Sequence, residues 1–490
     1  MRPKTTYKAA VLLGTAVWLC GCATLSDRIE PTTVAPETRV PVEADWSESA
    51  PDGLPRADWV ESFADPGLTE LVAAATSDNP SVRRALAQLD TTLAARRITR
   101  AGLYPTLGSQ FSASRSEGGV GFAPGTTSYQ LGLNSNWEAD LFGRIGDSVD
   151  ADGEAIYASA ADLAALQLSV AGRVASGWFD AIEAALLVDL SARDIQTQER
   201  SLRLTERRFE SGLTGSSDVR LARSALASSQ ALEQLRLQNA DATARAVQVL
   251  ARLYPDAEVA LPADLPALPA LEGAGTPSLM LARRPDIQAA ERRIREAGLN
   301  VDVARKALLP SLSFNASIGD AARSGVPGSN SLTDIFDLKS LAIQLGTSLT
   351  APIFQGGRLR AQVDVQRAQL EAQLENYADT VLQAYLEVEN ALDAEQRLAA
   401  REAALRVSLD EAVKAEERLE LRYTEGLVTI LQLLDAQSRR LNAEGQLISA
   451  RAQRLTNRVR LHVALGGAGF AADPALAEPE PLEILGVELP

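Results

Sequence analysis

The sequence predicts a mainly α-helical protein with a small β part, built as two copies of one repeat. Helix-forming residues such as Ala, Leu, Arg, Glu and Gln abound, while aromatic residues make up only 5% of the chain. Two similar Gly-Leu segments, Gly212-Leu213 and Gly426-Leu427, lie 214 residues apart (426 − 212). After Pro105 and again after Pro310, the spacing of apolar residues changes from helical to alternating.

The first 21 residues have the features of a signal peptide, with a basic start and a short apolar core. Leu19-Cys20-Gly21-Cys22 resembles the lipobox of bacterial lipoproteins, which makes Cys22 the expected site of lipidation. Plain secretion with an incidental cysteine is the alternative. Residues 22–58, rich in Pro, Thr, Glu and Ala, are predicted to form a lipid-anchored tether without a core of its own.

The residue inventory excludes several classes of function. The net charge of −16 disfavours electrostatic binding of nucleic acid. Cys20 and Cys22 are the two cysteines, so the mature body has no disulfide and no cysteine metal site. The one histidine, His462, is expected to be a packed structural residue and not a ligand. The chain lacks a Gly-x-Ser-x-Gly nucleophile motif, and we expect neither an enzyme nor a metal or other cofactor beyond the lipid.

Helices are predicted before each change of period, over residues 66–103 and 277–309. Two strands follow each of them, near 106–114 and 129–138 in the first repeat and near 311–318 and 341–350 in the second. About ten residues of apolar–polar alternation fit a strand of a transmembrane barrel, and they fit a half-buried strand of a soluble sheet equally well. Four strands are too few to close a conducting barrel, so membrane-embedded strands would require the chain to oligomerise.

A very long helix is predicted after each strand pair, over Arg144–Glu210 and Arg358–Thr424. Each contains 67 residues, or roughly 100 Å at 1.5 Å per residue. The apolar residues of the second helix follow steps of four and three, which is typical of coiled-coil packing. The chain then turns at a Gly-Leu tip and returns as a helix, over 216–254 and over 431–465.

The two tips are predicted to be the turns of helical hairpins. The first contains Gly212, Leu213 and Thr214, and the second Gly426, Leu427 and Val428. Just beyond the second tip, Leu431 and Asp435 are four residues apart and therefore share one helix face. On a three-fold axis Asp435 would form a ring of carboxylates, with Leu431 as an apolar constriction beside it. An ordinary solvated acid on a helix surface is the alternative.

The predicted organisation has five parts: the signal peptide 1–21, the tether 22–58, a first repeat 59–265, a second repeat 266–465, and an irregular C-terminal tail 466–490.

This combination resembles the TolC-type outer membrane factors. The resemblance rests on the lipobox, the duplicated element order and the tips Arg-Phe-Glu-Ser-Gly-Leu-Thr (208–214) and Arg-Tyr-Thr-Glu-Gly-Leu-Val (422–428). Leu-Leu-Asp-Ala-Gln (433–437), Ala-Arg-Arg-Pro-Asp-Ile (282–287) and Ala-Pro-Ile-Phe-Gln-Gly-Gly-Arg-Leu (351–359) are similar to its OprM/NodT branch.

The resemblance implies a homotrimer whose strands form one 12-strand barrel in the outer membrane. Its helices would form a periplasmic tunnel, with tips that meet an adaptor protein and an inner-membrane pump of the resistance–nodulation–division class. It also implies that Leu431 and Asp435 lie at a periplasmic gate, held shut through Arg422, Tyr423 and Asp218. The chain departs from the type member of the family at Gln432, where that protein has a second acid. The net charge of the gate therefore does not follow from the resemblance.

The expected function is a passive export duct of a tripartite efflux system. Two alternatives are a channel for type I protein secretion and a periplasmic coiled-coil adaptor without a pore. An adaptor would have one hairpin within a β-rich domain, whereas two hairpins are predicted here. The exported compound, the cognate pump and the resting state of the tunnel do not follow from the residues.

Overall fold

The computed structural model describes Thr32, Val40, Gly53, Arg56 and residues 45–48, 58–116, 126–271, 273–321, 341–467, 482–484 and 487–489. The predicted signal peptide and Cys22 lie outside the described residues. Within them, one element order occurs twice: two shorter helices, a strand pair, a very long helix and a return helix.

The first repeat starts with a 3-10 turn at Glu61–Phe63. Its elements are α1 (Pro66–Asp78), α2 (Pro80–Ala101), β1 (Thr106–Ser116), β2 (Thr126–Ala139), α3 (Arg144–Glu210) and α4 (Ser216–Leu250). The second repeat contains α5 (Pro277–Arg283), α6 (Pro285–Lys306), β3 (Ser311–Ala321), β4 (Leu341–Thr350), α7 (Arg358–Thr424) and α8 (Ile430–Ala464). The predicted helices Arg144–Glu210 and Arg358–Thr424 are confirmed.

Each helix predicted before a strand pair is in fact two helices. The break in the first repeat falls at Asn79-Pro80, and the break in the second at Arg284-Pro285. Proline lacks an N–H and keeps the preceding residue out of the α region, so it can start a helix but not continue one. Asn79 also caps α2, because its side chain accepts a hydrogen bond from the Ser81 N–H at 2.8 Å.

The four strands form one antiparallel sheet in the order β1-β2-β3-β4. The register pairs Leu133 with Ile318 and Trp137 with Phe314, whose rings stack at 5.5 Å. Apolar side chains therefore continue across one face of the sheet, exposed to the surroundings (Leu107, Phe111, Leu133, Trp137, Phe314, Ile318, Ile343, Leu345 and Leu349). Polar side chains occupy the other face, where Gln110, Gln130, Asn134 and Gln344 line one shallow pocket.

The core lies where the shorter helices pack on the long ones. Phe63 and Phe179 meet there at 5.1 Å, and both are fully buried. His462 stacks on Trp59 at 5.8 Å and is buried, so it lies in the core as predicted. Burial lowers the pKa of His462 to about 4, helped by the positive charges of Arg458 and Arg56.

The two 67-residue helices differ in burial although they are equivalent in the repeat. Within the single chain, α3 has 28 buried residues and α7 has 12. Helix α3 packs against α1, α2, α4, α6 and α8, whereas α7 packs against α6 and α8. An 18-residue window of α3 is apolar enough to cross a membrane, but 56% of it is buried in the protein, as in a core helix.

The tether and the tail are more structured than predicted. Trp46 of the tether donates a hydrogen bond to the Gly275 carbonyl at 2.9 Å and packs edge-on against Tyr385. Thr32 donates its backbone N–H to Asp302 at 3.0 Å. These parts of the tether therefore lie against the second repeat. In the tail, predicted to be irregular, β5 (Leu482–Ile484) and β6 (Val487–Leu489) pair as a short antiparallel hairpin.

Candidate functional site

The two predicted tips have the same backbone geometry. Gly212 and Gly426 end the long helices in the left-handed conformation, at φ 71° and 84°, which glycine adopts without strain. In the first tip, the Leu213 N–H donates to the Arg208 carbonyl at 2.8 Å. In the second, the Leu427 N–H donates to the Arg422 carbonyl at 2.9 Å. Each long helix thus ends in a Schellman turn that presents one leucine.

The leucine of each tip is exposed, at 68% for Leu213 and 64% for Leu427. The next residue differs between the tips. Thr214 donates its hydroxyl to the Asp218 carboxylate within the first tip. Val428 packs beside the buried Ile430 in the second. The structure therefore gives the first tip a polar turn and the second an apolar one.

Tyr423 is buried and joins the second tip to the first long helix. Its hydroxyl lies 2.9 Å from the Thr205 hydroxyl, which itself donates to the Ser201 carbonyl at 2.8 Å. Because the Thr205 hydroxyl proton is already donated to the Ser201 carbonyl, the Tyr423 hydroxyl is the donor to Thr205. Arg208 adds a second link, donating to the Tyr423 carbonyl at 2.7 Å with its guanidinium 5.0 Å from the ring centre.

The residues expected to hold the gate shut are not brought together within one chain. Tyr423 binds Thr205, whereas Asp218 accepts from Thr214 near the start of its own helix. The side chain of Arg422 is exposed and has no hydrogen bond or ion pair to the described part of the chain. The described chain therefore contains no contact among these three groups.

Leu431 and Asp435 lie on one exposed face of α8, as their spacing predicts. Leu431 is 59% exposed, and the Asp435 side chain is 61% exposed. Asp435 also forms an ion pair with Arg439, at 2.8 Å and one turn further along the helix. The acid expected to give the gate its negative charge is therefore accompanied by a positive charge at its side.

Gln432 has a structural task in this fold. Its side-chain oxygen accepts the Thr429 N–H at 3.1 Å and completes a capping box with the Thr429 side chain at the start of α8. Asp218 is its repeat counterpart (432 − 214), near the start of α4. Gln432 thus holds a helix start together, and Asp435 remains the acid closest to Leu431 on this face.

A charged network supports α8 beyond the predicted gate residues. Arg440 of α8 pairs with Glu416 of α7 and, at 2.8 Å, with Glu444. Glu444 also pairs with Arg193 of α3 at 2.8 Å. Burial raises the pKa of Glu416, against the opposing effect of Arg440. The network therefore connects three helices of the hairpins at one level.

The sequence alone did not identify Arg208, Thr205, Arg439 or the capping role of Gln432. Arg208 carried a signal, since it and Arg422 occupy the same position 214 residues apart (422 − 208). Arg439 follows Asp435 by four residues, a spacing at which opposite charges pair on a helix. Among the described residues, no group of three or more His, Cys, Asp or Glu side chains could hold a metal ion.

A sheet with one apolar outer face, joined to paired helices of about 100 Å that end in exposed tips, is typical of a channel protein of the bacterial envelope. The model of the family described as "outer membrane efflux protein" matches residues 71–255 and 276–467. The chain belongs to the outer membrane efflux protein family.

Relatives with assigned roles match over nearly their full length. The antibiotic efflux pump outer membrane protein ArpC of Pseudomonas putida is 30% identical over 476 residues, which cover 93% of this chain and 94% of ArpC. The outer membrane protein OprJ of Pseudomonas aeruginosa is 29% identical, over 95% of this chain and 97% of OprJ.

Solved structures agree with this assignment. The outer-membrane channel OprN matches with a TM-score of 0.77 and 27% identity, over 90% of this chain and 97% of that chain. The open state of the Neisseria gonorrhoeae MtrE outer membrane channel matches with a TM-score of 0.76 and 29% identity, over 88% of this chain and 96% of that one. The predicted family, fold and outer-membrane location are confirmed, and the protein is an outer membrane efflux channel.

Proposed function

We propose that three copies of this chain form a lipid-anchored duct, which passively conducts substrates from a periplasmic adaptor and an inner-membrane pump to the exterior. The observation that carries the proposal is the open four-stranded sheet with an apolar outer face. The steps below take the sheet, the tunnel, the tips and the gate in turn.

The sheet argues for more than one copy. β1 and β4 are its two edges, and each carries a row of backbone groups without a partner strand among the described residues. Hydrocarbon offers no water to such groups, so an open edge is not stable in a membrane. Pairing β4 of one copy with β1 of the next removes both edges. Three copies of four strands give a barrel of about twelve, wide enough for a lumen.

The long helices provide the conduit on the periplasmic side. Helices α3 and α7 run from the sheet to the tips, roughly 100 Å for 67 residues. Passive transport through such a duct involves no covalent step and no cofactor. Because the duct itself supplies no energy, the energy for export comes from the inner-membrane partner. We infer an efflux pump as that partner, because relatives such as ArpC are named as outer membrane proteins of efflux pumps. Its resistance–nodulation–division class is inferred from the resemblance of the sequence motifs to the OprM/NodT branch.

The exposed tips are the proposed docking points for the adaptor. Leu213 and Leu427 project from rigid Schellman turns, with Gly212 and Gly426 fixing their direction. Six such leucines in a trimer would form a ring of apolar contacts at the end of the tunnel. The residue after the leucine alternates around the ring between polar Thr214 and apolar Val428.

The proposed gate lies just inside the tips. Leu431 would narrow the lumen, and Asp435 would attract cations into it. The positive charge of the adjacent Arg439 would weaken this attraction. Tyr423, held by Thr205 and Arg208, would keep the second hairpin against the first in the closed state. Asp218 and Arg422 would act between copies.

Two further parts of the proposal rest on the sequence. The lipid on Cys22 would anchor the chain in the outer membrane. Protein secretion is the alternative cargo; the naming of relatives such as ArpC after antibiotic efflux favours small molecules.

The test is conductance of the purified protein in a planar lipid bilayer. We expect ion-conducting events with a cation preference, lowered by Asp435→Asn and raised by Arg439→Gln. Both side chains are more than half exposed, so neither variant should disturb folding. A folded trimer that never conducts, even with Arg422 and Tyr423 substituted, would refute the duct.

A further inference from the structure

Three helices of the chain enclose a groove that neither the gate nor the tips use. Near the end of α8, side chains of α3, α7 and α8 line a space of about 690 Å³, which we call the wall groove. Charged and amide groups from all three helices line it (Arg173, Asp180, Glu387, Asn390, Asn457 and Arg460). Its volume is in the range of sites that bind small molecules, about 300–1,000 Å³.

The two walls of the wall groove are equivalent positions of the two repeats. At an offset of 214, residues of α3 face their counterparts on α7: Arg173 and Glu387, Ser176 and Asn390, Asp180 and Ala394. Helix α8 is the floor, since both long helices pack on it. Gly172 brings α3 close to that floor, because a Cβ added there would lie 2.7 Å from Val463 Cγ2. The lining of the groove is therefore complete within one chain.

The wall groove opens on the side of α3 that the shorter helices leave free. Trp178 faces the start of α1, where its indole N–H donates to Asp65 at 2.8 Å. Arg173 precedes Trp178 by five residues, and Asp180 follows it by two. At 3.6 residues per turn, they lie about 140° and about 160° around the helix from Trp178. Both side chains therefore point away from α1.

The groove also shares a face of α8 with the predicted gate. Arg460 lies 29 residues beyond Leu431 (460 − 431) in one uninterrupted helix, which is about eight turns. The two side chains therefore leave α8 in nearly the same direction, roughly 44 Å apart along its axis. If Leu431 lines the lumen of the proposed duct, Arg460 and the wall groove open into that lumen.

Two guanidinium groups give the wall groove its free positive charge. Arg173 and Arg460 are exposed, and neither has a hydrogen bond or ion pair to any described residue. They start from the same level, because a Cβ added to Gly172 would lie 3.9 Å from Val459 Cγ1. A single exposed arginine needs no ligand. Two unpaired arginines that line one groove can bind the oxygens of one anion together.

The two acids of the groove leave these arginines available. Glu387 already has a partner outside the groove walls, since Arg284 donates to it at 2.6 Å. Partial desolvation raises the pKa of Asp180, against the opposing effect of the positive charge of Arg460. Within the described ranges, Asp180 forms no hydrogen bond or ion pair with either arginine of the groove.

We propose that the wall groove binds a small amphipathic organic anion, with Arg173 and Arg460 holding its carboxylate or sulfonate group. The apolar body of the anion lies against Val459 and Val463 on the floor. Asp180 competes with the ligand for the arginines, so the anion is released again, as conduction requires. The position of the site in a lumen rests on the proposed duct, whereas the site itself needs only one chain.

Equilibrium dialysis of the purified protein in amphipol against three naphthalene probes tests this proposal. Naphthoate, naphthylmethanol and naphthylmethylammonium have the same apolar body and carry a negative charge, no charge and a positive charge. We expect naphthoate to bind saturably, and the other two to bind weaker by roughly tenfold or more, because they cannot accept charge-assisted hydrogen bonds. Equal binding of naphthoate and naphthylmethanol would overturn the proposal.

Substitutions of the groove should change naphthoate binding in opposite directions. Arg173→Gln and Arg460→Gln should each weaken it by roughly tenfold. Asp180→Asn should strengthen it, because a competing negative charge is removed. Arg83→Gln is the matched control: Arg83 pairs with Asp78 on the side of α3 that is remote from the groove, so its loss should leave binding unchanged. A purely structural effect of the variants would not produce this change of sign.

The proposal is also overturned if either arginine variant, with an unchanged circular dichroism spectrum, binds naphthoate as tightly as the unmodified protein. Current through a planar bilayer tests the position in the lumen. Naphthoate should reduce the open-channel current of the unmodified protein, and Arg460→Gln should abolish this block. Binding without any block would place the groove outside the lumen and overturn its role in transit.

The same recordings separate failure of this inference from failure of the proposed function. A protein that conducts but binds no naphthoate would reject the wall groove as a site and leave the duct intact. A protein that binds naphthoate through Arg173 and Arg460 but never conducts would reject the duct and retain the site.

Discussion

Helices α3 and α7 have the same length and the same position in the repeat, yet they have opposite surroundings. Helix α3 is buried among five other helices, whereas α7 leaves apolar residues such as Leu386 and Val407 exposed. The two helices therefore differ in the residues that meet, or do not meet, neighbouring helices. Matched substitutions at twin positions can therefore measure what the neighbours contribute.

The largest difference is expected at Phe179 and its twin Asp393 (179 + 214). Phe179 is fully buried against Phe63, so Phe179→Ala should lower the stability by about 3–5 kcal/mol. Asp393 pairs on the surface with Arg397, and Asp393→Ala should change stability by less than about 0.5 kcal/mol. Thermal unfolding followed by far-UV circular dichroism in detergent measures both. Equal losses of stability in the two variants would contradict the expectation that burial by neighbouring helices sets the effect.

The second difference concerns pH, at His462 and its twin Gln248 (462 − 214). Since the pKa of folded His462 is about 4 against an ordinary 6.5, the unfolded chain binds a proton there first as pH falls. The neutral, buried imidazole therefore makes its full contribution to the free energy of unfolding above pH 6.5. This contribution falls by up to about 3 kcal/mol as the pH drops toward 4.

His462→Gln should remove that part of the acid destabilisation, measured as the difference between unfolding midpoints at pH 7 and pH 4.5. Gln248→Ala is the matched control, because Gln248 is also buried but does not titrate. Its effect should be the same at both pH values. An unchanged acid response in His462→Gln would show that other groups carry it.

The third difference is at the tips. Tyr423→Phe removes the hydrogen bond to Thr205 and should cost about 1 kcal/mol. The double variant Thr205→Leu with Tyr423→Phe copies the apolar residues at the twin positions, Leu419 (205 + 214) and Phe209 (423 − 214), and should recover part of the loss. Unfolding measurements on the singles and the double give the coupling energy. Strict additivity of the two single effects would contradict the pairing.

The smallest difference is expected at Arg193 and its twin Val407 (193 + 214). Arg193 pairs with Glu444, but its side chain is 57% exposed, so Arg193→Val should cost at most about 1 kcal/mol. The difference from the unmodified protein should shrink further in high salt. Val407→Ala serves as the control without charge. A loss that persists in high salt would show that Arg193 acts through packing instead.

Much of the fold could be predicted from local sequence. Pro105 and Pro310 marked the change from helix to strand, and both 67-residue helices were predicted with the bounds that the structure shows. The splits at Pro80 and Pro285 were missed because the apolar spacing continues across them, although each proline carried the signal. The strands of the tail were missed because three residues are too few for a recognisable period.

The site was predictable in position but not in its contacts. The Gly-Leu segments located the tips, and spacing placed Leu431 and Asp435 on one face. The partnership of Tyr423 with Thr205, 218 residues away, depends on how two long helices cross, and no local pattern encodes it. The same holds for Arg208, whose target is a pair of backbone carbonyls.

The sequence by itself therefore determined the elements, the repeat and the family, because helix periods, prolines and glycines act over a few residues. The tertiary structure decided which twin residues meet. Contacts between α3 and α8 depend on packing between residues far apart in the chain, and only the folded structure shows that α3 packs against five helices whereas α7 packs against α6 and α8.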